Sequence, residues 1–179
     1  MINEVKSFLD NFFQAEIDAR NAAMKPDIED ANNKVDKLHS FVTQELQNSF
    51  GVIKSSTPLP DFIYKKFENS FISQARHLYK ISEYKNPTYG SLYFSYVSNY
   101  NPPSTVFILF QCFVVGRVDG QYKIIMTALV DKDSNPPTWS VTGDEKEFSF
   151  DSPGELIKVE RYLEPKDDSY SMEIYKKDV

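Results

Sequence analysis

Apolar residues in the first half of the chain recur at intervals of three and four, the spacing of one face of a helix. The first such stripe consists of Val5, Phe8, Leu9, Phe12 and Ile17. It predicts a helix over residues 3–24. Pro26 then ends this helix or opens the next one, because proline lacks the N–H that a continuing helix needs.

A second stripe with the same spacing predicts a second helix over residues 28–46. Asp27 is placed to cap its start, and Gly51 follows its end. Two prolines within residues 54–60 indicate a loop, and Asp61 is expected to cap a short third helix beyond it. The second stripe comprises Ile28, Ala31, Val35, Leu38, Val42 and Leu46, and the third helix places Phe62, Ile63, Phe67 and Phe71 on one side.

From residue 76 onward the pattern changes to the alternation and apolar runs that are typical of strands. The dipeptide Asp119-Gly120 is the strongest hairpin signal in the chain, and Gly116 marks a candidate β-bulge. Turns are indicated at residues 86–90, 101–104, 135–137 and 151–154. The predicted strands cover residues 76–84, 91–97, 105–118, 121–130, 139–150 and 156–163.

Helices followed by strands predict an α+β domain, in which about three N-terminal helices pack on one face of a curved antiparallel sheet. Strands and helices do not alternate, which argues against a doubly wound parallel fold. The length of 179 residues and the 41% hydrophobic content indicate one domain over residues 1–179. A domain of this size buries a sizeable core without disulfides or a structural metal.

The net charge of −6 is confined to the last 49 residues, which hold 13 acidic and 7 basic residues, whereas 13 of each cancel over residues 1–130. An acidic chain lacks the basic surface of a nucleic-acid-binding protein, so no nucleic acid is expected as a partner. The longest apolar run, near residues 105–115, is too short to span a bilayer. Without a signal-peptide pattern at residues 1–13, the expected location is the cytoplasm.

Much of this charge lies between residues 131 and 151. Two interpretations stay open: a solvated loop that keeps the protein soluble, or an acidic face that steers a basic partner onto the domain. Trp139 lies within the same stretch and would supply an aromatic anchor to such an interface. The candidate partner-binding residues are therefore Asp131, Asp133, Trp139, Asp144, Glu145 and Glu147.

Motifs for catalysis or cofactor binding are absent from the sequence. It contains no glycine-rich phosphate loop, no Gly-x-Ser-x-Gly and no His-Glu-x-x-His. The apolar neighbours of Cys112 predict an inert core thiol, and His39 is expected at the boundary of a helix. Asp10 and Glu16 near a helical apolar face, and Glu83 on a strand, have no diagnostic spacing. No cofactor or metal site is therefore expected.

The strand region around residues 89–100 is rich in tyrosine, which has two interpretations. The tyrosines pack a half-buried sheet, or they form a binding surface that uses an apolar ring with a polar tip. Both can hold on the two faces of one strand.

The C-terminal segment adds a resemblance. Residues 154–165 (GELIKVERYLEP), followed by Asp167, Ser169 and Tyr175, resemble the closing motif of the bacterial NTF2-fold immunity proteins. Trp139, Gly143 and Glu147 resemble the penultimate strand of that family. The helices-then-strands order is similar to an NTF2-like cone along the whole chain, although the doubled proline at 136–137 and the charged loop after it depart from the pattern.

This resemblance implies an NTF2-like cone and a protein that binds and neutralises a cognate toxin of the same bacterium by occlusion, without catalysis. Leu163 and Pro165 would end a strand, and Tyr175 would pack the tail. The alternative is an NTF2-like small-molecule-binding protein or enzyme, of the isomerase or cyclase type, that uses the cone as its pocket. A third possibility is an oligomerising subunit, a homodimer that pairs through the tyrosine-rich strand.

Overall fold

The structure is a computed structural model that describes residues 1–50, 53–68, 75–87, 89–100, 107–131 and 138–142. Its helical part comes first in the chain and its sheet second, so the α+β class is confirmed. The helices are α1 (Ile2–Ala23), α2 (Ile28–His39) and α3 (Asp61–Lys66), with a 3₁₀ helix over Gln44–Phe50 between α2 and α3.

Within the described ranges, five antiparallel strands form one sheet in the order in which they occur along the chain. Every connection therefore joins neighbouring strands, as the turn-rich sequence predicted. The strands are β1 (Ala75–Asn86), β2 (Gly90–Tyr100), β3 (Phe107–Val118), β4 (Gln121–Asp131) and β5 (Thr138–Thr142). The strand predicted over 139–150 is described only as far as Thr142, and the one predicted over 156–163 lies outside the described residues.

The first helix matches its prediction, because its apolar stripe packs on the sheet. Val5, Leu9 and Phe12 are fully buried, and they belong to one cluster with Phe113 of β3 and Ile124 of β4. Asp27 caps α2 as expected, since its Oδ1 accepts a hydrogen bond of 2.9 Å from the backbone N–H of Asp30. One face of the sheet is therefore covered by α1 and α2.

The second helix is shorter than predicted, for a tertiary reason. It ends at His39, and the chain then pairs with β4: the carbonyl of Phe41 accepts from the N–H of Ile124 at 2.8 Å, and the N–H of Thr43 donates to the carbonyl of Ile124 at 3.1 Å. Val42 and Leu46 are buried although they lie beyond the end of the helix. Strand pairing, which the local pattern does not contain, ends the helix.

The prediction for the third helix was right in position and wrong in two details. Asp61 is its first residue rather than its cap, and Pro60 precedes it without a side-chain capping bond. No residue of α3 is buried, and 68% of the Phe62 surface is exposed. Phe71 lies outside the described residues.

The opposite face of the sheet is also buried. Tyr96, Cys112 and Val114 are fully buried there, which agrees with the almost continuous apolar sequence of β3. The expectation of a core thiol at Cys112 is confirmed. The members of this second cluster are Leu92, Phe94, Tyr96, Cys112, Val114, Ile125, Met126 and Ala128.

The β3–β4 hairpin follows its sequence signal closely. Asp119 and Gly120 both adopt positive φ, 51° and 78°, as a two-residue turn of this type requires. The bulge lies elsewhere than at Gly116: the register shifts between Val114 and Val115, and Ile125 is the extra residue on β4. Gly116 is instead a close-packing position, because a Cβ there would lie 3.0 Å from Cδ2 of Leu92.

Candidate functional site

The β3–β4 turn brings the side chains of Arg117 and Tyr122 next to each other. A two-residue turn pairs Val118 with Gln121 and therefore Arg117 with Tyr122, so both side chains lie on one face of the hairpin. Arg117 lies over the ring of Tyr122, with its guanidinium carbon 4.6 Å from the ring centre. Its Nη2 also donates a hydrogen bond of 3.2 Å to the Tyr122 hydroxyl.

Helix α1 completes this arrangement with a carboxylate. The Tyr122 hydroxyl donates to Oε2 of Glu4 at 3.0 Å, and the same oxygen lies 3.8 Å from Nη2 of Arg117. The hydrogen bond to Tyr122, helped by the negative charge of Glu4, raises the pKa of Arg117 further above its usual value. Arg117 is thus a cation that lies beside both the Tyr122 ring and the Glu4 carboxylate.

These three residues lie in a concave region of about 830 Å³ between the first turns of α1, the segment after α2 and the β3–β4 hairpin. We call this region the α1–hairpin groove. Asn3, Ser7 and Asn11 follow one another at intervals of four residues along its helical side. Within the described part of the chain, its lining is Asn3, Glu4, Ser7, Phe8, Asn11, Ser40, Phe41, Arg117, Gly120, Gln121 and Tyr122.

Aromatic rings form the floor of the α1–hairpin groove. The Phe8 ring centre lies 5.5 Å from that of Phe41 and 6.0 Å from that of Tyr122. All three residues are half-buried, so each ring rests on the core with part of its surface open. The groove therefore combines an apolar base with charged and amide groups at its rim.

A second concave region of about 450 Å³ adjoins the groove through Ser40. His39 lines it at the end of α2, in the boundary position that the sequence predicted, together with Asp36 and Lys123. Asp36 is held by Lys54 at 2.7 Å, and Nζ of Lys123 donates to the backbone carbonyl of Ser40. These charged groups thus serve to attach the segment after α2 to its neighbours.

Two of the carboxylates considered for acid–base chemistry, Glu16 and Glu83, lie on different elements, α1 and β1. Glu16 is 3% exposed and lies 2.7 Å from Arg20, one turn along α1. Glu83 is on the β1–β2 hairpin, where hydrogen bonds from Ser91 and Lys85 lower its pKa. Among the described residues, no three His, Cys, Asp or Glu side chains are grouped so that they could hold a metal ion.

The tyrosines of β2 have a packing role at the two positions where their side chains are described. Tyr93 is 2% exposed on the helix-covered face, and Tyr96 is fully buried on the other. These two rings therefore offer no surface to a second copy of the chain.

The predicted partner-binding residues fall largely beyond the described part of the chain. Asp131 ends β4 and Trp139 lies in β5. For these two residues only the backbone is described. Asp133, Asp144, Glu145 and Glu147 lie outside the described residues. Their role as an acidic interface stays a prediction.

Sequence reasoning missed the α1–hairpin groove. The Asp119-Gly120 signal could have placed Arg117 opposite Tyr122, because a two-residue turn fixes the register of its hairpin. It could not have added Glu4, which lies 118 residues from Tyr122 in the sequence.

No family model, curated protein or solved structure matches this chain. Of the helices described, none combines the length and apolar character that a membrane crossing requires.

Proposed function

We propose that this protein is an NTF2-like immunity protein, a binding module that neutralises a cognate bacterial toxin by occlusion and performs no catalysis itself. The observation that carries the proposal is the packing between the helices and the sheet. Phe12 and Phe13 of α1 meet Phe113 of β3 with ring centres 5.6 Å and 5.4 Å apart, and none of the three is more than 3% exposed.

A cone that acts as a pocket needs open volume and converging polar groups at this place. Here the volume is occupied by aromatic side chains. Among the described residues Glu16 is the one buried carboxylate, and Arg20 holds it in an ion pair. The alternative, a small-molecule-binding protein or enzyme that uses the cone, lacks both requirements in the described interior. Binding at the outer surface is therefore the function that this arrangement favours.

The acidic C-terminal stretch supplies the electrostatic part of the proposal. A toxin that acts on nucleic acid presents basic residues at its active site, and an inhibitor of opposite charge associates faster with it. The contacts would come from the candidate set that includes Asp144, Glu145 and Trp139. Because the charges of residues 1–130 cancel, the net negative charge that would attract a basic toxin comes from the C-terminal residues.

Affinity purification tests this proposal, with the chain as bait in an extract of the cells that produce it. We expect one larger protein to be retained in stoichiometric amount at about 50 mM salt and much less at about 500 mM, where surface charges are screened. Expression of the retained protein should stop growth, and co-expression of the bait should restore it. Retention without toxicity, or no retained protein, would contradict the proposal.

Charge reversal tests the steering. Asp144→Lys combined with Glu145→Lys should slow association with the retained protein and reduce its salt dependence, because two attractive charges become repulsive. Glu29→Lys combined with Asp30→Lys is the matched control, since these acids lie on the exposed start of α2. Equal association rates for both double variants would exclude the acidic stretch as the steering surface.

A further inference from the structure

Arg117 is held beside Tyr122 in the absence of a ligand. Its guanidinium lies over the ring and donates one hydrogen bond to the hydroxyl, although 53% of the side chain is exposed. Among the described residues, Tyr122 is the one side chain to which Arg117 donates a hydrogen bond. Arginine offers five N–H donors on a planar guanidinium, and Arg117 lines the α1–hairpin groove, so donors beyond the one bound to Tyr122 are available to a ligand there.

Glu4 lies close to Arg117 but forms no hydrogen bond with it. Its Oε2 is 3.8 Å from Nη2, too long for a hydrogen bond, and 59% of the Glu4 side chain is exposed. Ion pairs of this exposure contribute little. An incoming carboxylate at hydrogen-bond distance, with both oxygens on the guanidinium edge, would make the stronger contact.

The floor beside Arg117 is suited to an apolar group. Phe8, Phe41 and Tyr122 form a continuous aromatic base, with neighbouring ring centres 5.5 Å and 6.0 Å apart. The groove volume of about 830 Å³ falls in the range of small-molecule sites. Asn11 and Gln121 line the groove and are exposed, so they offer amide groups to further polar atoms of a ligand.

We propose that the α1–hairpin groove binds a small molecule that carries a carboxylate on an apolar, preferably aromatic, body. Arg117 holds the carboxylate, and the rings of Phe8, Phe41 and Tyr122 contact the body. Glu4 weakens this binding by repulsion and favours release. The inference is independent of the proposed inhibition of a toxin, because the residues that carry it lie between positions 3 and 122 and are not members of the acidic candidate set.

A titration with 3-phenylpropionate, followed by the backbone amide signals in NMR, tests this inference. We expect shifts concentrated at residues 3–11, 40–41 and 117–122. The neutral analogue 3-phenylpropionamide should bind about tenfold more weakly, the size of a hydrogen bond to a charged group. Acetate, which has the carboxylate without the apolar body, should bind more weakly than 3-phenylpropionate as well.

Three variants separate the proposed roles. Arg117→Gln should weaken binding of 3-phenylpropionate about tenfold, whereas Glu4→Gln should strengthen it about twofold by removing a repulsive surface charge. Lys85→Gln is the matched control: it removes the same charge from the β1–β2 hairpin, where 78% of the Lys85 side chain is exposed, and should leave the affinity unchanged. Amide spectra of the free variants show whether each has kept its fold.

The inference is overturned if 3-phenylpropionate produces no shifts at concentrations up to about 10 mM, beyond the range of weak ligands. It is equally overturned if 3-phenylpropionamide binds as well as the acid, or if a folded Arg117→Gln variant keeps the affinity of the wild type. Weaker binding of 3-phenylpropionate by a folded Glu4→Gln variant would contradict the repulsive role of Glu4.

Discussion

Two regions of the molecule use aromatic side chains of α1 in opposite ways. One is the packed interior between α1 and the sheet, and the other is the α1–hairpin groove. Phe12 is fully buried and contacts Phe113, with ring centres 5.6 Å apart. Phe8, one turn earlier, is half-buried and forms part of the groove floor. In the interior, packing uses the whole surface of each ring, whereas the groove leaves part of it accessible to a ligand.

The polar groups of the two regions differ in the same way. Glu16 is buried and paired with Arg20, while Glu4 and Arg117 lie more than half exposed around the hydroxyl of Tyr122. Substitution of a buried, paired polar group lowers the free energy of unfolding strongly, whereas substitution of an exposed one lowers it little. We therefore expect substitutions in the interior to change stability and substitutions at the surface to change binding.

Two alanine substitutions on α1 test this difference most strongly. Phe12→Ala should lower the free energy of unfolding by about 3–5 kcal/mol, because it leaves a cavity in a packed core. Phe8→Ala should lower it by about 1–2 kcal/mol, since part of that ring is already in contact with water. Urea unfolding of both variants measures the two losses. Equal losses would mean that Phe8 is as much a core residue as Phe12.

The turn that positions Arg117 provides the next largest effect. Gly120→Ala should cost about 1 kcal/mol of unfolding free energy, because its φ of 78° is strained for a residue with a Cβ. Asp119→Asn is the matched control, since asparagine tolerates the φ of 51° at that position. Urea unfolding measures both. A Gly120→Ala variant as stable as wild type would contradict the turn geometry.

The guanidinium of Arg117 should matter for binding and not for stability. Arg117→Gln is expected to leave the midpoint of urea unfolding unchanged, because the side chain is 53% exposed and its contacts are at the surface. The same variant should lose affinity for 3-phenylpropionate. A midpoint lowered as far as that of Phe8→Ala would show that Arg117 is a structural residue, and the contrast between the two regions would fail.

The smallest effect is expected at Glu83, where hydrogen bonds from Ser91 and Lys85 lower the pKa. A lowered pKa in the folded state stabilises the protein above the unfolded value of about 4.3, and this contribution is lost as the pH falls through the folded pKa. Glu83→Gln should therefore lose less stability than wild type on acidification, and Ser91→Ala should lie between them. Thermal midpoints from about pH 6 to about pH 3 test this order. Parallel curves would contradict it.

Local signals in the sequence predicted the elements that depend on local chemistry. The stripe of α1, the cap at Asp27 and the Asp119-Gly120 turn all follow from neighbouring residues. The end of α2 did not follow, because Ile124 draws Phe41 and Thr43 into a pairing with β4.

The exposure of α3 and the α1–hairpin groove escaped prediction for the same reason. The spacing of Phe62 and Phe67 indicated an apolar side, but nothing in the spacing tells whether another element covers that side. Glu4, Arg117 and Tyr122 meet because α1 docks against the β3–β4 hairpin, which is a tertiary event. The sequence does show that the excess of acidic residues begins at Asp131. The charge reversal experiment tests their role.

Native mass spectrometry of the chain isolated from its own cells tests most directly whether the protein acts through its surface. We predict a complex of the chain with a second protein, and any bound small carboxylate should disappear in the Arg117→Gln variant. A small molecule retained equally by wild type and Arg117→Gln, with no second protein present, would place the ligand outside the groove. That result would contradict a binding module with a packed interior.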